Sequence, residues 1–178
     1  MTRPEVPARN PRATEIVSAA RRILEAEGRE ALTMRRLASC VGMKAPSLYK
    51  HFPTKRALEA ALIEQALLEV GEILHTALAA RGRSSAAHRL VAAYRAVALA
   101  NPELYRLATS GALPRQDLPR GLEEWAGEPF YLATGDPWQA QALFAFAHGM
   151  VILELDDRFP PGSDLRRTWR AGTLAFVR

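Results

Sequence analysis

The sequence predicts an all-α fold of about nine helices. Three observations point that way. Apolar residues recur every three or four positions over most of the chain, the period of a helix buried on one face. No alternating apolar–polar run is long enough to make a strand. Glycine and proline cluster between the periodic segments, where helices start and stop.

The elements follow in order. Ile16, Ala19, Ala20, Ile23, Leu24 and Glu27 trace one face of a first helix, which Gly28 can end in a left-handed conformation. Thr33 can cap a second, with Met34, Leu37, Ala38 and Val41 turned inward and Gly42 closing it. Pro46 suits the first turn of a third, because its missing N–H would find no helical partner there anyway. That helix buries Leu48 and Phe52 and is stopped by Pro53. Thr54 caps a long fourth helix, to about Ala80, with one stripe of Ile63, Leu67, Val70, Leu74 and Leu78. A second stripe (Leu58, Leu62, Ile73 and Ala77) makes it apolar on two sides, as expected between two packed bodies.

Residues 81–85 read as a turn, and a fifth helix covers about 85–100 before Asn101-Pro102. A short sixth spans about 103–109, and 110–121 reads as a loop. The seventh, about 122–133, is expected to be disturbed by Gly127 and Pro129. Asp136-Pro137 opens an eighth, to about Asp157, and Ser163 or Asp164 caps a ninth that runs to the end of the chain.

A chain of 178 residues fits one ordinary domain, or a small domain joined to a larger one. No run of about 18 uncharged apolar residues suggests a membrane span. Residues 1–12 are polar, with three prolines, and lack the apolar middle of a secretory signal. The single cysteine, Cys40, can form no internal disulfide and reads as a small helix residue; the cytoplasm is the expected location.

The net charge of +5 is unevenly spread. Residues 1–56 hold 12 Lys+Arg against 5 Asp+Glu, whereas 57–178 hold 12 against 14. Between 31 and 58 there is no acidic residue, but there are Arg35, Arg36, Lys44, Lys50, Lys55 and Arg56. All three lysines of the protein, Lys44, Lys50 and Lys55, lie in that window. Such a window is either a solvated face or the footprint of a polyanion.

Spacing decides between them. Thr33 to Phe52 has the anatomy of a helix-turn-helix: small Ala38 where two helices approach, then Gly42 for the positive φ of a tight turn. Leu37, Val41, Met43 and Leu48 fill the space between the helices. Helix N-termini carry partial positive charge and normally attract carboxylates, yet three successive helices here start with cations. Arg35 and Arg36, then Lys44, then Lys55 and Arg56 occupy those starts. Phosphates placed there would turn each unfavourable term into a favourable one, so double-stranded DNA is the expected partner.

Leu32-Thr33-Met34-Arg35-Arg36-Leu37-Ala38, Gly42, Pro46-Ser47-Leu48-Tyr49-Lys50-His51-Phe52 and Lys55-Arg56-Ala57-Leu58 resemble the DNA-binding domain of the TetR family of repressors. The resemblance covers about residues 12–60. It implies a flexible arm over 1–11, a helix-turn-helix domain over 12–56, and a helical ligand-binding and dimerisation domain over 57–178. It also implies that Thr33 binds a phosphate, and that Arg35 and Arg36 lie on the DNA surface. Lys44, Ala45, Pro46 and Ser47 would open the recognition helix against base edges, with Lys44 suited to guanine. Tyr49, Lys50, His51 and Lys55 complete the expected DNA set, and the operator would be bound by a homodimer.

For the dimer interface the expectation is Ala142, Ala145 and Gly149 on the eighth helix with Ala171, Gly172 and Ala175 on the ninth, small residues that let helices approach closely. Most aromatics lie in the remaining body, and Tyr94, Tyr105, Trp125, Phe144 and His148 are the candidates for lining a mostly apolar cavity. The run Phe144 to Gly149 resembles the Trp-His-Gly element of one TetR-family C-terminal class, with Phe144 in place of Trp. That element names no ligand; the aromatic lining points to a small, largely hydrophobic effector, and the family resemblance to one that releases the repressor. It would do so by shifting the fourth helix and changing the separation of the two recognition helices. A regulator that answers to a protein partner, or to nothing, is the alternative. No nucleophile elbow, phosphate-cradling glycine loop or metal motif is present, so no enzyme, cofactor or metal is expected.

Overall fold

A computed structural model describes residues 2–82 and 84–176. Arg83 of the expected turn, and Val177 and Arg178 at the end of the expected ninth helix, lie outside the described residues. Among the described residues there are nine α-helices and no strand: α1 Pro11–Glu27, α2 Met34–Cys40, α3 Ala45–Tyr49, α4 Lys55–Ala79 and α5 Ala86–Ala100. They continue as α6 Pro102–Thr109, a 3₁₀ turn Arg115–Asp117, α7 Leu122–Thr134, α8 Pro137–Leu155 and α9 Leu165–Leu174.

The chain divides into two compact units. One comprises Arg3–Leu68 and Asn101–Leu122. Its core gathers Ile16, Ala20, Ile23 and Leu24 of α1, Leu37 of α2, Leu48 of α3, and Leu58 and Leu62 of α4. Leu104 and Leu107 of α6 belong to the same core, so the helix-turn-helix is closed from below by a segment some 50 residues further along. Two polar contacts fasten it. Glu25 accepts from the backbone N–H of Leu104 at 2.8 Å, capping α6, and Arg21 donates to Asn101 at 2.9 Å.

Local chemistry sets the helix ends here. Asn10 caps α1 through Ala13 N–H at 2.8 Å, and Thr33 caps α2 through Arg36 N–H at 3.1 Å. Thr54 caps α4 through Ala57 N–H at 3.0 Å. Each such cap contributes about 1 kcal/mol. Gly42 sits at φ +63°, just past α2. There Met43 N–H reaches back to Ala38 O at 2.8 Å and Gly42 N–H to Ser39 O at 3.3 Å, the paired bonds of a Schellman turn.

The second unit comprises residues 69–100 and 123–176, in which α5 packs on α8 and α9. Glu154 of α8 ties the three helices together. It accepts both Arg95 nitrogens of α5 at 2.7–3.1 Å and the Trp169 indole N–H of α9. At the end of α4, Arg89 donates to Ala77 O at 3.1 Å, serving a carbonyl that has run out of helical partners.

Helix α9 stops at Leu174, with Ala175 and Phe176 in a turn, short of the expected run to the chain end; α7 departs from expectation in the other direction. Helix α7 runs unbroken through Gly127 and Pro129, from Leu122 to Thr134. Pro129 has no N–H for the carbonyl four residues back, which is Trp125 O. His75 of α4 supplies the missing donor, its Nε2 lying 3.1 Å from that oxygen, while its ring stacks on Trp125 at 5.1 Å between centroids. The approach requires Gly71, where a Cβ would overlap the Trp125 ring. A double-mutant cycle reads this coupling. His75→Ala is expected to lower unfolding free energy by about 1–3 kcal/mol through the orphaned carbonyl and lost packing. In a Pro129→Ala background the loss should shrink, because the helix then satisfies Trp125 O itself. Additive losses in urea titrations would refute the coupling.

Candidate nucleic-acid interface

The two helices of the helix-turn-helix present their outer faces from a rigid base. Leu37, Ala38 and Leu48 are buried between them, and Arg12 of α1 fixes the turn by donating to Val41 O at 2.8 Å. Most of the expected residues lie on the outward side, beside others such as Ser39, Cys40 and Arg56. Thr33, Arg35, Arg36, Lys44, Pro46, Ser47, Tyr49 and Lys50 are exposed; Ala45, His51 and Lys55 are half-buried. Tyr49 is 46% exposed and Phe52 only 7%, so the aromatic pair divides between surface and core. Cys40 is exposed and free.

Cations do occupy the three helix starts. Arg35 and Arg36 fall in the first turn of α2, Lys44 is the residue capping α3, and Lys55 and Arg56 open α4; none of these first turns contains an acid. Folding nevertheless brings acids to some of them from outside the acid-free window. Arg36 grips both Glu27 oxygens at 2.6 and 3.1 Å, and this pair holds the Glu27 carboxyl below its ordinary value. Arg56 donates to Asp117 at 3.1 Å. Lys55 donates to Arg29 O at 3.3 Å and lies 3.8 Å from Glu59, which Arg29 holds with two bonds of its own. Sequence reasoning missed these counter-ions, because Glu27, Glu59 and Asp117 carry no local signal of the partner each would take.

The sorting leaves Arg35, Lys44 and Lys50 exposed and without a protein partner among the described residues. Arg35 lies in the first turn of α2, and Lys44 and Lys50 flank α3 at its two ends. Thr33 Oγ1 is occupied as an acceptor by the α2 cap, yet its hydroxyl proton remains available to donate. Together these groups can clamp phosphates and offer donors to acceptor-rich base edges.

The other expected residues are dispersed. Tyr94 is buried in an edge-to-face cluster with Phe130 (5.6 Å) and Phe144 (6.1 Å), and Phe144 stacks on His148 at 6.0 Å. Phe144 itself is 43% exposed, so the cluster opens outward. Burial pushes the His148 imidazole below its ordinary value. Trp125 is engaged with Gly71 and His75 as core, and Tyr105 lies in the other unit, with the helix-turn-helix. Of the small residues, Gly172 differs from expectation: a Cβ there would overlap the Phe146 ring, so this glycine serves the packing of α9 on α8 within the chain. Ala142, Ala145, Ala171 and Ala175 are exposed, and a Cβ on Gly149 would meet open space.

A helix-turn-helix seated on a buried base, with unpaired cations around its second helix, defines a DNA-binding protein. The comparisons with known proteins agree. The family model for bacterial regulatory proteins of the tetR family matches residues 16–62. An HTH-type transcriptional regulator of Mycobacterium tuberculosis is 30% identical over 155 residues, spanning 79% of this chain and 68% of that protein. The nucleoid occlusion factor SlmA of Cronobacter sakazakii is 27% identical over 95% of this chain and 96% of its own. The multidrug binding protein EbrR, solved with imidazole, shares the fold with a TM-score of 0.70 at 24% identity, over 96% of this chain and 97% of that one. The chain belongs to the tetR family of bacterial regulatory proteins and is a DNA-binding transcriptional regulator.

Two measurements test the electrostatics. Glu27→Gln should free Arg36 and steepen the salt dependence of DNA affinity by about one unit of log K per log salt, read by anisotropy across salt concentrations. An unchanged slope would mean that Arg36 does not reach phosphate. For His148, the folded value lies below the unfolded one, so the unfolded chain binds the proton first and stability falls as pH drops through that window. Thermal midpoints at pH 7.5 and 5.5 should therefore differ less in His148→Phe than in the parent.

Proposed function

We propose that this protein is a homodimeric repressor, released from its operator by a small, largely hydrophobic ligand. The observation that carries the DNA-binding part is the triad of exposed, unpartnered cations: Arg35 on α2, with Lys44 and Lys50 at the two ends of α3. Lys44 is assigned to base edges, with Ala45, Pro46 and Ser47 close to the groove. Thr33, Tyr49 and His51 are assigned to phosphates, Arg35 to a base or a phosphate, and Lys50 to the DNA surface with its target open. Arg36 and Lys55 join them by exchanging Glu27 and Glu59 for phosphate.

Dimerisation is supported by an apolar stripe on α8. Trp138 (74% exposed), Ala142, Ala145, Gly149 and Leu153 recur at helical spacing, and Ala171, Leu174 and Ala175 extend the apolar surface onto α9. Isolated apolar residues on a surface are ordinary, but a continuous stripe of this kind marks an interface. Ligand control is supported by the outward-opening cluster of Tyr94, Phe130, Phe144 and His148, and by the likeness in fold to EbrR, which is itself a multidrug binding protein. Helix α4 belongs to both units, and α6 is fastened to α1. A ligand that displaces either helix can alter how the recognition helices are presented, and a preference of about 1–3 kcal/mol for the non-binding state suffices.

Mobility-shift titration on the protein's own promoter, with and without hydrophobic compounds, tests the whole reading. Lys44→Ala should cost about 1–3 kcal/mol and relax preference at one base position. Lys55→Ala should weaken all sequences alike and lower the salt slope by about 1. Ala145→Glu should shift sedimentation from dimer to monomer and reduce operator affinity. Binding that no compound relieves would overturn the ligand-responsive part and favour control by a protein partner or none.

A further inference from the structure

A groove of about 510 Å³ lies between α5 and α9, away from the aromatic cluster. One wall is the α5 stripe His88, Val91, Ala92 and Arg95, and the other is Arg166, Trp169, Arg170 and Thr173 of α9, with Arg167 at the rim. Its base is rigid. Trp169 is buried, Thr173 is fully buried with its hydroxyl on Trp169 O at 2.7 Å, and Arg95 lies 5.8 Å from the Trp169 ring centroid.

The charges do not balance. Arg95 is matched by Glu154, and Arg167 by Asp164 at 3.3 Å. Arg166 and Arg170 have no acidic partner among the described residues. They are one helical turn apart on the same face, where like charges repel. The N-terminus of α9 is itself capped by Asp164, which accepts from Arg167 N–H at 3.0 Å, so the imbalance lies in the two guanidiniums. Ala171 and Ala175 lie roughly 140° and 180° around the helix from Arg166, whereas Leu174, one turn after Arg170, borders this wall.

We propose that this groove is a second ligand site, for a small amphipathic oxyanion. Its carboxylate or phosphate is held between the Arg166 and Arg170 guanidiniums, whose planar forks suit either group. Its apolar body lies against Val91, Ala92 and Trp169. Closure of the charge imbalance is the driving term, and affinity accordingly falls with salt.

Calorimetric titration of the full-length protein with phenyl phosphate, benzoate and neutral phenol tests the site. Phenyl phosphate also probes the DNA surface, so Lys44→Ala serves as the control. The expected result is one site per chain for an anionic probe in both the parent and Lys44→Ala, weakened at least tenfold in Arg166→Gln/Arg170→Gln, with phenol the weakest ligand. Which of phenyl phosphate and benzoate binds more tightly assigns the headgroup. Arg166→Gln and Arg170→Gln singly should each weaken binding, which keeps the test open if the double variant folds poorly. Absence of anion binding in the parent, equal binding by phenol, or undiminished affinity in the arginine variants would overturn the proposal.

Discussion

The outward face of the helix-turn-helix depends on one buried cluster beneath it. Helix α3 has five residues, and a helix so short has no stability of its own in water. Leu48 and Phe52 hold it down, packed in the core that also takes Leu24 of α1, Leu37 of α2 and Leu58 of α4. The Schellman turn at Gly42 then sets the direction in which α3 leaves α2. Remove the cluster and the cations would still be present, but no longer in a fixed array. Leu104 and Leu107 make the point sharper, because the base under α3 is partly built from α6.

Electrostatics in this unit is organised by division. Some cations are structural: Arg36 with Glu27, Arg29 with Glu59, Arg56 with Asp117 and Arg9 with Glu64 hold segments together. Others, Arg35, Lys44 and Lys50, are left to the solvent side. Exposed pairs of the first kind contribute little stability. Their effect is to fix side chains and to lower the excess positive charge.

The second unit shows how a sequence irregularity can be absorbed. A proline in the middle of a helix removes one backbone bond and is expected to end or kink it. Here α7 continues, since the freed Trp125 carbonyl meets His75 and the Trp125 ring fits over Gly71. Glycine at 71 and histidine at 75, one turn apart on α4, look unremarkable in the sequence and acquire a purpose only opposite Pro129. Gly172 is similar: a small residue that suits an interface between chains is used to seat Phe146 within one.

Nearly all the helix boundaries and the outward set from Thr33 to Lys55 were legible in the sequence. Caps, prolines, the left-handed glycine and the 3.6-residue period act over a few neighbouring residues, so the information needed to read them is local. The acid-free run from 31 to 58 was legible for the same reason. Tertiary structure alone decided which of those cations remain available, because Arg36, Lys55 and Arg56 meet acids or carbonyls from other segments of the chain. It decided that α6 completes the helix-turn-helix core, and that α7 survives its proline. Each of these outcomes is a contact between residues distant in sequence. Such contacts depend on how helices are placed in three dimensions, which periodicity and capping do not specify.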